Sequence, residues 1–208
     1  MTELVHKFRS LRGQSGLAVG STGASQLAIL LVYLFAARGA GPAEFGQAVA
    51  AIALGVSFAG FLDFGANALW VREIARGTLG MTELGSRSRA KFVAAVVIAL
   101  VWAALCVWVF SDGMLLVATP ILLVTIVSDL ARVPLKGIAR ADLVAVLIVI
   151  DRSTVVCSFL VLQSIGVDSI DALWVALLMG PIVSASVAIP LTPRGHRPFY
   201  ASFSLSNP

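Results

Sequence analysis

Four polar side chains stand out inside long, mainly apolar runs: Asp63, Asn67, Asp151 and Arg152. Each run is long enough to cross a bilayer, where an unpaired charge costs about 2.5–3.5 kcal/mol on insertion scales. Asp63 and Asn67 share a helical face with Gly60, at i, i+3 and i+7. Such a pair can bind a cation, exchange a proton, or pair with an arginine from another helix. Asp151 and Arg152 interrupt the run LVAVLIVI-DR-STVVCSFLVLQSI. Neighbouring residues on a helix do not face each other, so each needs its own partner or a wet cavity. Arg152 is the side chain best suited to grip an anion, because a planar guanidinium makes bidentate contact with phosphate. In a competing arrangement Leu143–Ile150 lies in the interface, the span starts later, and Asp168 and Asp171 move toward its far boundary.

The segments that position these residues are membrane-like. Hydrophobic residues make up 59% of the 208, charged residues 12%, and the mean hydropathy is +0.96. Soluble domains carry about 25% charged residues, and no soluble core of this length could hide so much apolar surface. Apolar spans are expected at Gly16–Ala37, Gly46–Trp70, Phe92–Phe110, Met114–Ala131, Leu143–Ile165 and Ala172–Pro190. The first is too long for the core of a cleaved signal, and further spans follow it. The reading is an all-α polytopic membrane protein: a basic N-terminal segment over 1–14, a six-helix transmembrane bundle over 15–190 and a polar tail over 191–208.

The basic residues fall in alternate loops. Lys7, Arg9 and Arg12 precede the first span; Arg72, Arg76, Arg87, Arg89 and Lys91 follow the second; Arg132, Lys136 and Arg140 follow the fourth; Arg194 and Arg197 lie in the tail. The opposite loops hold Arg38 against Glu44, Asp112, Asp168 and Asp171. By the positive-inside rule both termini are cytoplasmic. The net charge of +4 therefore reflects topology and gives no support to nucleic-acid binding. Thr2–Gln14 reads as a solvated topology determinant or a short interfacial helix.

Smaller patterns refine the spans. Ser15, Thr22, Gln26 and Tyr33 form a polar stripe in span one, suited to a cavity wall or to interhelical hydrogen bonds. Gly46, Ala50, Ala53, Ser57 and Gly60 form a small-residue stripe in span two that suits close helix packing. Asp129 is expected near the boundary, reaching water. Met179-Gly180-Pro181 is a candidate kink in span six. No Walker loop, HExxH, GxSxG or Cys/His cluster occurs, so the expectation is a non-enzyme without a metal centre. The two cysteines, Cys106 and Cys157, read as small hydrophobes.

The stretch Ala36–Arg76 resembles the oligosaccharide flippases of bacterial polysaccharide export, in the multidrug/oligosaccharidyl-lipid/polysaccharide exporter superfamily. The family's first outer turn reads like AR-x-hydrophobic-GP-x-x-[FY]-G, and here it is Ala37-Arg38-Gly39-Ala40-Gly41-Pro42-Ala43-Glu44-Phe45-Gly46. Its second span closes on an aspartate, a glycine and a V-R-E-x-A-R-like sequence, here Asp63, Gly65 and Val71-Arg72-Glu73-Ile74-Ala75-Arg76. The later spans match in hydropathy and topology alone.

The resemblance implies one bundle of an inverted-V transporter in the bacterial cytoplasmic membrane. Its cargo would be a polyprenyl-pyrophosphate-linked oligosaccharide, flipped by alternating access and driven by an ion gradient, with H+ or Na+ the coupling ion, or by the membrane potential. Carried over by motif position, Arg38 with Gly41 and Pro42 would form the outer turn, and Asp63 would lie in span two with Arg72 and Arg76 at its cytoplasmic mouth. Arg152 comes from burial and not from the motif. Relatives carry about twice as many spans in two pseudo-symmetric halves. The chain is therefore expected to be half of a transporter, pairing with a second chain or with itself, or else a truncated product. The alternatives are a cation-coupled multidrug-type exporter of the same superfamily and a non-transporting membrane subunit.

Overall fold

The computed structural model describes residues 20, 23–110 and 113–192. Among them 89% are helical and none lies in a strand. The helices are α1 (Gly23–Gly39), α2 (Pro42–Asp63), α3 (Ala66–Ala75), α4 (Met81–Leu105), α5 (Ala118–Gly137), α6 (Ala141–Ser164) and α7 (Ser169–Leu191). A π turn (Cys106–Phe110) extends α4, and a 3-10 turn (Met114–Val117) leads into α5. Helices α2, α4, α5, α6 and α7 are long and apolar enough to cross a membrane, whereas the described part of α1 is a shorter apolar helix. The protein is a multi-pass membrane protein.

Local sequence sets the helix ends. Pro42 opens α2, where its missing N–H costs nothing. Helices α3 and α6 close in Schellman motifs whose left-handed residues are Gly77 and Gly166, with Thr78 N–H bonded to the Glu73 carbonyl and Val167 N–H to that of Leu162. The Asp168 carboxylate caps α7 by accepting from the Ile170 N–H at 3.0 Å.

Helix α5 is the axis of the bundle and touches α2, α3, α4, α6 and α7. Several seams depend on glycine. A Cβ on Gly55 would lie 2.7 Å from the Ala118 carbonyl oxygen, joining α2 to the start of α5. One on Gly137 would lie 2.5 Å from Ile74 Cγ2, joining α5 to α3. One on Gly180 would lie 2.5 Å from Val155 Cγ2 and 2.6 Å from Asp151 Oδ1, joining α7 to α6. Close backbone approach of this kind is how helices associate in hydrocarbon, where apolar side chains gain nothing by leaving lipid. The outer faces carry Leu27, Leu30 and Leu34 of α1, Val93, Val97 and Leu100 of α4, and Val146 and Leu160 of α6, all exposed.

Several expectations change. Span two is not one helix over Gly46–Trp70: the chain breaks after Asp63, where Phe64 (φ 37°) and Gly65 (φ 82°) turn left-handed. Helix α4 starts at Met81, before the apolar run at Phe92, so Arg87, Arg89 and Lys91 are helical and not in a loop. Pro134 lies inside α5. Helix α6 is continuous from Ala141 to Ser164, so Asp151 and Arg152 lie within one unbroken helix. Helix α7 passes through Pro181 unbroken. The stripe Gly46, Ala50, Ala53, Ser57 and Gly60 is exposed, while Ala48, Ala51, Ile52, Gly55 and Ala59 make the packed face of α2. Ser15, Thr22, the N-terminal segment and most of the tail lie outside the described residues.

The seams yield a contrast. Gly180→Leu should lower unfolding stability by about 1–3 kcal/mol, the usual cost of overpacking. Gly60→Leu, where a Cβ meets nothing within 4 Å, should leave it unchanged. Denaturant unfolding of the purified protein in mild detergent distinguishes them.

Candidate functional site: a charged cavity between apolar helices

Helices α1, α2, α5, α6 and α7 line a partly open cavity of about 310 Å³. Apolar wall is supplied by residues such as Ile29, Ile52, Ile121 and Leu177. The polar lining is Tyr33, Thr125, Ser128, Asp129, Arg132, Asp151 and Arg152. Tyr33 is steadied by an edge-on contact with Phe45, ring centroids 6.4 Å apart.

The buried acid of this site is partnered. Asp151 is 4% exposed, and its Oδ2 accepts from Arg132 Nη2 at 2.6 Å. The same nitrogen donates to Ser184 Oγ at 2.9 Å, and Ser184 in turn donates to the Leu147 carbonyl at 3.2 Å. One guanidinium thus ties α5 to α6 and α7. Asp151 Oδ1, Arg132 Nε and Ser128 Oγ are buried with no hydrogen-bond partner among the described residues. Buried polar atoms are seldom left so, because each costs about 1–3 kcal/mol, and here they adjoin an open cavity.

Arg152 differs from its neighbour. No carboxylate among the described residues pairs with it. It lines the central cavity and also a groove of about 270 Å³ between α1 and α6, beside Ser25, Ser153 and Cys157. Asp129 lines the cavity without an ion pair among the described residues as well.

A second cluster forms at the α2–α3 break. Lys91, 8% exposed, donates to Asp63 Oδ1 and to Asn67 Oδ1, the latter at 3.0 Å. Asp63 Oδ1 also accepts the Asn67 backbone N–H at 3.2 Å, capping the first turn of α3. The Lys91 ammonium lies 5.4 Å from the Trp70 ring centroid, a cation–π distance. Asp63 and Asn67 do meet, but across the break between α2 and α3 and not on one helical face, and a lysine is their partner and neutralises the acid.

The remaining expected residues are dispersed. Arg72 and Arg76 are exposed on and just after α3. Gln26 is exposed on α1 and does not line the cavity. Arg38 sits over the Phe35 ring at 6.0 Å, and Gly41 and Pro42 form the α1–α2 turn. Sequence reasoning missed Arg132, Lys91 and Ser184. Arg132 shares a face with Ser128 one turn earlier, a signal hidden by placing the end of span four at Ala131.

No family model, curated protein or solved structure matches this chain.

The Arg132–Asp151 pair makes a quantitative prediction. Removing either partner leaves a buried charge unpaired, so Arg132→Leu and Asp151→Leu should each destabilise by about 3–5 kcal/mol. The double substitution should cost much less than the sum, and a double-mutant cycle in denaturant measures the coupling.

Proposed function

We propose that this chain is one bundle of a membrane translocator that moves a polyprenyl-pyrophosphate-linked oligosaccharide across a bacterial cytoplasmic membrane by alternating access. The observation that carries this reading is Arg152, a guanidinium among apolar helices with no carboxylate partner among the described residues, at the edge of the central cavity. With Asp151 committed to Arg132, Arg152 is left to meet an anion, and a pyrophosphate offers bidentate geometry and charge. The oligosaccharide would contact the hydroxyls of Tyr33, Thr125 and Ser128, and the polyprenyl tail would stay in lipid. The motif resemblance around Arg38–Pro42 and Val71–Arg76 supports the same reading. Both termini are cytoplasmic in this scheme, and a second bundle, from another chain or a second copy, completes the path.

A second reading, a cation-coupled exporter, is favoured by Asp129, the cavity carboxylate without an ion pair. Asp63 no longer supports it, because Lys91 occupies that acid.

Arg152→Ala should weaken binding of a polyprenyl pyrophosphate to the purified protein in nanodiscs by about 10–100-fold, the worth of a charge-assisted contact. In a bacterium whose surface polysaccharide depends on this gene, the variant should insert normally and export nothing. Normal binding and export would remove Arg152 from the mechanism. Loss of export in Asp129→Asn alone, with anion binding intact in both variants, would favour the second reading.

A further inference from the structure

Away from the central cavity, a cleft of about 280 Å³ opens between α4 and α5. It is lined by Arg89, Phe92 and Val93 of α4 and by Val127 and Leu130 of α5. Its walls are carbon, the aliphatic stem of Arg89 included. The three cations on this stretch of α4 have different fates. Arg87 is held by Glu73 at 2.8 Å and by Glu83 at 2.6 Å. Lys91 is held by Asp63 and Asn67. Arg89 is exposed, and no carboxylate or hydrogen-bond partner reaches it among the described residues. Since two acids serve Arg87 while none serves Arg89, the free guanidinium is set by placement, not by a shortage of acids.

The depth is specific too. Arg89 lies eight residues, roughly 12 Å, along α4 from Met81, just before the apolar run that begins at Phe92. The cation therefore stands at the polar edge of the span, while Phe92, Val93, Val127 and Leu130 line the apolar side of the cleft. We infer that the α4–α5 cleft is a binding site for one anionic phospholipid of the surrounding bilayer, its phosphate on Arg89 and an acyl chain in the cleft. A phosphate at headgroup depth over an acyl chain matches this order of charge and carbon, as basic pockets between membrane helices do for acidic headgroups. A packed helix from a second copy would bury Arg89 against carbon with nothing to neutralise it, and free phosphate would leave the cleft unfilled. The inference does not rest on the cargo proposed above; it holds for any role of the bundle.

The test is native mass spectrometry of the full chain released from nanodiscs containing phosphatidylglycerol and phosphatidylcholine. The expected result is one retained phosphatidylglycerol, with retention reduced about tenfold in Arg89→Gln, the loss of one charge-assisted contact. Arg89→Lys should keep part of it. Val127→Trp, which fills the cleft, should lose it, and Arg72→Gln, an exposed cation elsewhere at the same end, should not. Arg89 is on the surface, so its variants should keep wild-type helicity and elution. Equal retention in Arg89→Gln, equal retention of both lipids, an equal fall in Arg72→Gln, or displacement by inorganic phosphate alone would each overturn the inference. The last two would indicate a diffuse basic belt and a plain phosphate site.

Discussion

A charge placed among apolar helices has no bulk water to compensate it, and this constraint organises the interior of the bundle. The structure meets it by matching acids with cations from other helices. Asp151 on α6 is met by Arg132 on α5, with Ser184 of α7 drawn into the same contact. Asp63 at the end of α2 is met by Lys91 on α4. Each pair joins elements that the hydrophobic effect cannot hold together in lipid, where side chains and solvent are equally apolar. The pairs therefore select which helices are neighbours and at what height.

The glycine seams work with these pairs. Gly180 brings α7 against α6 where Asp151 is buried, so the close approach and the ion pair share one place. Gly137 admits Ile74, and α3 is thereby fastened to the end of α5 even though the chain has turned away from α2 at Phe64 and Gly65. The same acid that pairs with Lys91 caps α3, so the break in span two and the charge that sits at it stabilise each other. What is left over after this matching is informative. Arg152 and Asp129 line the cavity without ion pairs among the described residues, and the orphaned atoms of Asp151, Arg132 and Ser128 lie beside them. Three of the four buried polar atoms left without a partner among the described residues thus belong to residues lining this one cavity.

The sequence made the membrane helices legible because hydropathy over twenty residues is a strong, local signal. It also singled out Asp63, Asn67, Asp151 and Arg152, since a charge in an apolar run is conspicuous whatever its partner. The partners were less legible. Lys91 and Arg132 stand at the edges of their runs and read as loop residues, and only the helix register turns them inward. The small-residue stripe of α2 illustrates the reverse error: Gly46, Ala50 and Gly60 have the right spacing, but the alternative face with Ala48, Ala51 and Gly55 has it too, and packing chose the second. The break after Asp63 rests on two left-handed residues, one of them Phe64, for which composition gives no warning.

The role proposed for Arg152 requires that the cavity it lines between α1, α2, α5, α6 and α7 be open to water or to an anion, not sealed. Thiol accessibility tests it directly. With exposed Cys157 replaced by serine and buried Cys106 retained, Thr125→Cys would place a thiol on the cavity wall and Val97→Cys one on the outer apolar face. Treated in intact membranes with a membrane-impermeant charged thiol reagent applied to each side in turn, Thr125→Cys should react from at least one side while Val97→Cys stays unmodified. Equal inertness of the two positions from both sides would contradict the account, making the cavity a dry seam and Arg152 a packing residue.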